Sequence, residues 1–206
     1  MDSAKKIKNI RSFTPPPKED YVKFVLPNRF ASSPLDIEIG CGVGLHPIQF
    51  FKANPDRFLV AIEHTKEKFE KFQRRFISHD QPSNLLPIHA NAISWVSQQL
   101  SPNSVDHFYF LYPNPNPKSG DLNKRWYAMP FMHKVLEILK QDGKITLATN
   151  EKFYHDEALD YFLNHWKLDL VEDKELQIGF KPRTHFEKKY LERGETCYNL
   201  VFSKRT

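Results

Sequence analysis

The stretch LDIEIGCGVG, residues 35–44, reads as a buried strand that runs into a glycine turn and on into a helix. Gly40, Gly42 and Gly44 stand at the strand tip. Glycines there let backbone approach a ligand, and the first amides of a helix add donors. The spacing is G-x-G-x-G, not the dinucleotide G-x-G-x-x-G, which disfavours a nicotinamide dehydrogenase. For the glycines alone, a tight strand-to-helix turn is the plain alternative.

Outward from this turn, apolar segments alternate with amphipathic ones. VGLHPIQFFKANP (43–55) reads as a helix, RFLVAIE (57–63) as a strand, and KEKFEKFQRRFI (66–77) as a helix with Phe69, Phe72 and Phe76 at helical spacing. NLLPIHA (84–90), AISWVSQQL (92–100) and VDHFYFLY (105–112) continue as strand, helix, strand. NKRWYAMPFMHKVLEILK (123–140) predicts a helix ended by Gly143, before the strand KITLAT (144–149) and the helix EKFYHDEALDYFLNHW (151–166). KLDLVED (167–173) and TCYNLVFSK (196–204) follow as two strands with no helix between them. The alternation predicts an α/β, Rossmann-like doubly wound sheet of about seven strands, mostly parallel, with an antiparallel last strand. Such sheets bind ligands at the carboxyl ends of their strands.

The strand tips carry the polar groups. Glu63 ends the second strand, where a carboxylate can accept both hydroxyls of a ribose. Glu38, ahead of the glycines, can face an amino group or orient the turn. The third tip reads HANA, which puts Asn91 and Ala92 at an adenine edge. Together these describe a nucleoside pocket. The fourth strand stops at YPNPNPK (112–118), because proline lacks a backbone donor and fixes φ. A stiff loop bearing Asn114 and Asn116 suits the holding of polar groups in place.

Composition bounds the partners. The chain has 206 residues, 40% hydrophobic and 27% charged, enough for one domain with a sizeable core. TPPPKED (14–20) divides a basic N-terminal arm, residues 1–20, from a single domain over residues 21–206. No apolar run approaches the roughly 20 residues of a membrane span, and the first residues lack the apolar stretch of a signal peptide. Cys41 and Cys197 are too few for a disulfide framework or a cysteine-rich zinc site, so the expectation is a reduced, cytoplasmic protein without a metal. The net charge of +5 is clustered at Lys5, Lys6, Lys8 and Arg11 and again at Lys181, Arg183, Lys188, Lys189 and Arg193. Such clusters are either solvated faces or a polyanion site.

EIGCGVG, FLVAIE and HANA resemble the cofactor motifs of Rossmann-fold S-adenosylmethionine methyltransferases. YPNPNPK with NKRW, and RTHFEKKYLERGETCYNLVF (183–202), resemble the tRNA (guanine-N7-)-methyltransferase family, as does IRSF near the start. The resemblance covers roughly residues 36–202. It implies S-adenosylmethionine as cofactor, held by Glu38, Gly40, Gly42, Gly44, Glu63, Asn91 and Ala92. It implies tRNA as substrate, with Thr184 and Glu187 on the target guanosine, whose N1–H and N2–H₂ one carboxylate can accept. Asn114 and Glu187 are then the catalytic candidates. Lys118, Lys124, Arg125, Asn150 and Arg183 are the remaining substrate-binding candidates. The family loop reads F-P-D-P-W-x-K; here Asn114 replaces its Asp and Asn116 its Trp. Asn150 likewise stands where family members carry Asp. An amide carries no charge, and its nitrogen donates rather than accepts. The departures imply slower N7-guanine methylation or a different target. A methyltransferase with another RNA or small-molecule substrate, and an RNA-binding relative without turnover, are the competing readings.

Overall fold

The computed structural model describes residues 10–205. A seven-stranded sheet runs in the order β3-β2-β1-β4-β5-β7-β6. The strands are β1 Leu35–Ile39, β2 Phe58–Glu63, β3 Leu85–His89, β4 Val105–Leu111, β5 Leu139–Thr149, β6 Asp169–Leu176 and β7 Cys197–Ser203. The first five pair in parallel, and β7 lies antiparallel to both β5 and β6. The doubly wound sheet with an antiparallel last strand is therefore as expected from the alternation.

Successive residues of a strand face opposite ways, so a strand buried on both faces can be apolar throughout. In β2, Val60 and Ile62 join the core under α3 (Ala92–Gln99), α4 (Phe131–Ile138) and α5 (Lys152–Asp160). Leu59 and Ala61 join a smaller core under α1 (Leu45–Ala53) and α2 (Lys66–Ser78), where Phe72 is fully buried. Helices thus cover both faces. The edge strand β6 is exposed except at Leu176, and its charged residues blunt edge pairing.

Three local expectations need correction. The helix expected over 123–140 begins only at Phe131, because Met129 precedes Pro130 and is forced into extended backbone (φ −77°, ψ 143°). It ends at Ile138 rather than at Gly143, since Leu139 already pairs with β4. The interval between β6 and β7, read as free of helix, holds α6 (His185–Glu192). Leu191 of α6 packs on Leu176 and Cys197, a contact between distant segments that periodicity over eight residues does not announce. Lys5, Lys6 and Lys8 of the basic arm lie outside the described residues, whereas Ile10 and Phe13 pack on the main core.

Candidate active site

The glycine turn is drawn toward β2. The amides of Gly40 and Cys41 both donate to the Ile62 carbonyl, at 2.8 and 3.1 Å. Gly40 and Gly42 have φ of +76° and +60°, conformations that side chains resist, and a Cβ on either would meet open space. Both glycines border a cleft of about 420 Å³ at the carboxyl end of β1. Gly44 serves another purpose. A Cβ there would lie 2.0 Å from the Phe72 ring, so this glycine permits α1 to close on α2. Gly44 does not line the cleft.

Glu63 binds the turn to its strand. One carboxylate oxygen accepts the Gly42 N–H at 2.8 Å and the other the Thr65 N–H at 2.7 Å. Each oxygen keeps a further lone pair, and the residue lines the cleft. Glu38, fully buried, meets His46 Nδ1 at 2.8 Å, and both line the cleft. His46 is the second residue of α1 and packs on the Tyr109 ring. Burial, with Glu38 and Glu63 nearby, raises the Cys41 thiol well above its ordinary value, so this side chain stays an uncharged thiol. Asn91 and Ala92 do not line the cleft. The Asn91 side-chain oxygen instead caps α3, accepting from the Ile93 and Ser94 amides at 2.9 and 3.3 Å.

Across the cleft stands the proline loop. Tyr112 and Asn116 both have positive φ, +53° and +46°. Asparagine adopts this conformation readily, but for a ring-bearing residue it is strained. The Tyr112 amide donates to Ala148 and its hydroxyl to Glu187, and both hold it there. Asn114 lines the cleft, and its Oδ1 accepts the Asn116 N–H at 3.3 Å. Asn116 donates from its amide to the Asn114 carbonyl at 3.0 Å. Arg125 is buried beneath the loop, ion-paired with Glu157 and donating to the carbonyls of Asn116, Pro117 and Lys118. Expected on RNA, Arg125 instead braces the loop. Lys118 is exposed, and Lys124 pairs with Asp121 at 2.9 Å. Asn150 donates to Glu195 at 3.1 Å, away from the cleft.

Thr184 lines the cleft and caps α6, its hydroxyl accepting the Glu187 N–H at 3.0 Å. Glu187 returns to the Arg183 N–H at 2.6 Å, the reciprocal pairing of a capping box displaced by one residue. Glu187 is fully buried and does not line the cleft. Its two oxygens also take the Arg183 guanidinium (nearest contact 2.6 Å) and the Tyr112 hydroxyl (2.8 Å). Burial alone would lower the Arg183 guanidinium, but the Glu187 bonds and charge more than reverse that and raise it. Burial, then the Glu187 charge, raises the Tyr112 phenol, so Tyr112 remains a donor. The structure thus brings Glu38, Gly40, Gly42, Glu63, Asn114 and Thr184 to one cleft and keeps Glu187 behind its wall. Sequence reasoning missed His46, Lys68, Tyr112 and Trp126, which also line the cleft. Tyr112, just before the first loop proline, and Trp126, at the end of NKRW, carried a positional signal.

The residues present fit a nucleoside cofactor: two left-handed glycines open to the cleft, and a carboxylate beside them with lone pairs to spare. Among the described residues no group of three or more His, Cys, Asp or Glu is placed to hold a metal ion, and no helix is long and apolar enough to cross a membrane.

The fold is similar to that of solved methyltransferases. A structure described as an antibiotic-related methyltransferase superposes with TM-score 0.61 at 17% identity, over 91% of this chain and 97% of its own. The 16S rRNA methyltransferase KamB gives TM-score 0.62 at 17% identity, over 86% and 92%. In sequence, the chain is 27% identical over 173 residues to a tRNA (guanine-N(7)-)-methyltransferase of Bartonella quintana (strain Toulouse), covering 82% of this chain and 74% of the relative. It is 26% identical over 194 residues to a protein of the same name from Thermotoga maritima, of whose length it spans 60%. The family model described as "Putative methyltransferase" matches residues 32–200, well over half of the sequence, and the chain belongs to that family.

Proposed function

We propose that the protein transfers a methyl group from S-adenosylmethionine to N7 of a guanosine in tRNA. The observation that carries the reading is the cleft itself, where the glycine turn tied to Glu63 faces Asn114 and Thr184 across about 420 Å³. When bound, S-adenosylmethionine supplies a methyl activated by sulfonium charge. Gly40 and Gly42 present backbone to it, and Glu63 offers its remaining lone pairs to ribose hydroxyls. Glu38, oriented by His46, places negative charge in the same cleft. N7 of guanine carries a lone pair and no proton, so no residue has to act as a base. The chain's task is to position the purine and to tolerate the cation that forms. Asn114 and Thr184 stand on the acceptor side, and Asn114 supplies an amide dipole where a carboxylate would supply charge. In this reading residues 1–20 add a basic arm and residues 21–206 form the methyl-transfer domain. Two free, buried cysteines fit a reducing cytoplasm.

The engagement of Glu187 by Arg183 and Tyr112 favours a second reading, a methyltransferase of this fold acting on another acceptor. Incubation with labelled S-adenosylmethionine and bulk unmodified tRNA, followed by nucleoside analysis, separates them. Label in 7-methylguanosine supports the first reading, and label in any other nucleoside overturns it in favour of the second.

A further inference from the structure

The cations expected to grip RNA near the proline loop are largely committed elsewhere. Arg125 is paired with Glu157, Arg183 with Glu187 and Lys124 with Asp121. An RNA-binding enzyme must hold phosphates with other groups, because backbone charge dominates affinity for nucleic acid.

Such groups line a second groove. On α2, Phe69, Phe72 and Phe76 turn inward, while Lys71, Arg74, Arg75 and Ser78 form a stripe at helical spacing. The stripe lines an open groove of about 690 Å³, closed on its other side by Val43 of the glycine turn and His185 at the start of α6. No carboxylate lines this groove. Lys71 pairs with Glu67 at 2.6 Å, but Arg74 and Arg75 make no ion pair among the described residues. Val43 and His185 also line the candidate active-site cleft, so the two depressions share a wall. On the far side of His185, Lys181 borders a third groove together with Lys188, which pairs loosely with Glu192 of the same groove at 3.7 Å. The His185 imidazole is held below its ordinary pKa by burial and then by the Arg75 and Lys188 charges, which places these cations around one ring.

We infer that the groove between α2 and the start of α6 seats the RNA backbone next to the target nucleotide, with Arg74 and Arg75 on its phosphates. The inference rests on the tRNA reading above and places the RNA on the α2 side of the cleft, opposite the loop that sequence alone pointed to. A phosphate there would lie within reach of both guanidinium groups while its base enters the cleft past Val43 and His185.

The test is the salt dependence of tRNA binding by the full chain. The double variant Arg74→Ala/Arg75→Ala is compared with Lys174→Glu, which makes the same change in net charge on the distant β6. Calorimetric affinity for S-adenosylmethionine confirms that each variant is folded. In the double variant the slope of log affinity against log salt should become shallower by about 2, one for each phosphate that is no longer held, and the control should keep the wild-type slope. An unchanged slope in the double variant, an equal change in the control, or no tRNA binding by wild-type protein at low salt overturns the inference. An equal loss of affinity for GMP also overturns it, by assigning the groove to mononucleotide phosphate. If tRNA binds with the expected slopes and no 7-methylguanosine forms, the groove stands and the proposed reaction falls.

Discussion

Asn114 accepts the Asn116 N–H while lining the cleft, so its oxygen holds the loop and its remaining surface meets the ligand. A carboxylate could accept the same N–H, and Asn114→Asp should leave the loop in place while adding negative charge beside the forming cation. Methylation of tRNA guanosine should then rise, with about 1.4 kcal/mol giving tenfold. Initial rates with labelled cofactor measure it, and no gain over wild type means that charge at this position is irrelevant. Glu63 has two roles of the same kind. Glu63→Ala removes the anchors of Gly42 and Thr65 along with the ribose contact, and should weaken cofactor binding by about 1–3 kcal/mol. Calorimetry showing unchanged affinity would remove Glu63 from the site. The sequence made Gly40, Gly42, Glu63 and Asn114 legible because strand tip, turn and loop are local. It hid the burial of Glu187, which depends on a tyrosine far away in the chain and on the packing of α6.

At the scale of elements, α6 is short, and its first turn relies on Thr184. Thr184→Ala should cost about 1 kcal/mol by removing the cap and loosen Glu187 with it. Denaturant unfolding reads the first effect, and a lowered methylation rate at saturating cofactor reads the second. The strand β4 carries a pH sensitivity. His107 stacks on Tyr109 with ring centroids 4.0 Å apart and meets the Thr146 hydroxyl at 2.7 Å. Burial, followed by nearby positive charge, lowers its pKa to about 3. The unfolded chain takes up this proton near pH 6.5, and the folded chain refuses it until about pH 3. Stability from this residue is therefore full above pH 6.5 and is lost as pH falls, by up to about 1.4 kcal/mol per pH unit. His107→Gln should flatten the decline in unfolding free energy between pH 7 and 4. An unaltered slope would show that His107 titrates normally. Periodicity found β4 and α2 because each repeats its pattern over several residues. It overran at α4, where a single residue before proline decides the start, and it passed over α6, whose core contact is made mainly by Leu191.

At the scale of the whole molecule, both faces of the sheet could be read from the alternation of strands and helices, and the position of β7 could not. β7 sits between β5 and β6, and β6 has no other neighbour in the sheet. This order governs how the protein is made. A chain leaving the ribosome delivers β6 some twenty residues before the strand that pairs with it, and until then β5 presents an open edge. Neighbouring nascent chains could pair along that edge. A fragment ending before Cys197 should pellet when expressed, whereas one that includes β7 should stay in the supernatant. The row of acids along β6, Asp169, Glu172, Asp173 and Glu175, keeps that waiting segment hydrated and mutually repelling, so its charges protect the polypeptide most during the seconds before the sheet is complete.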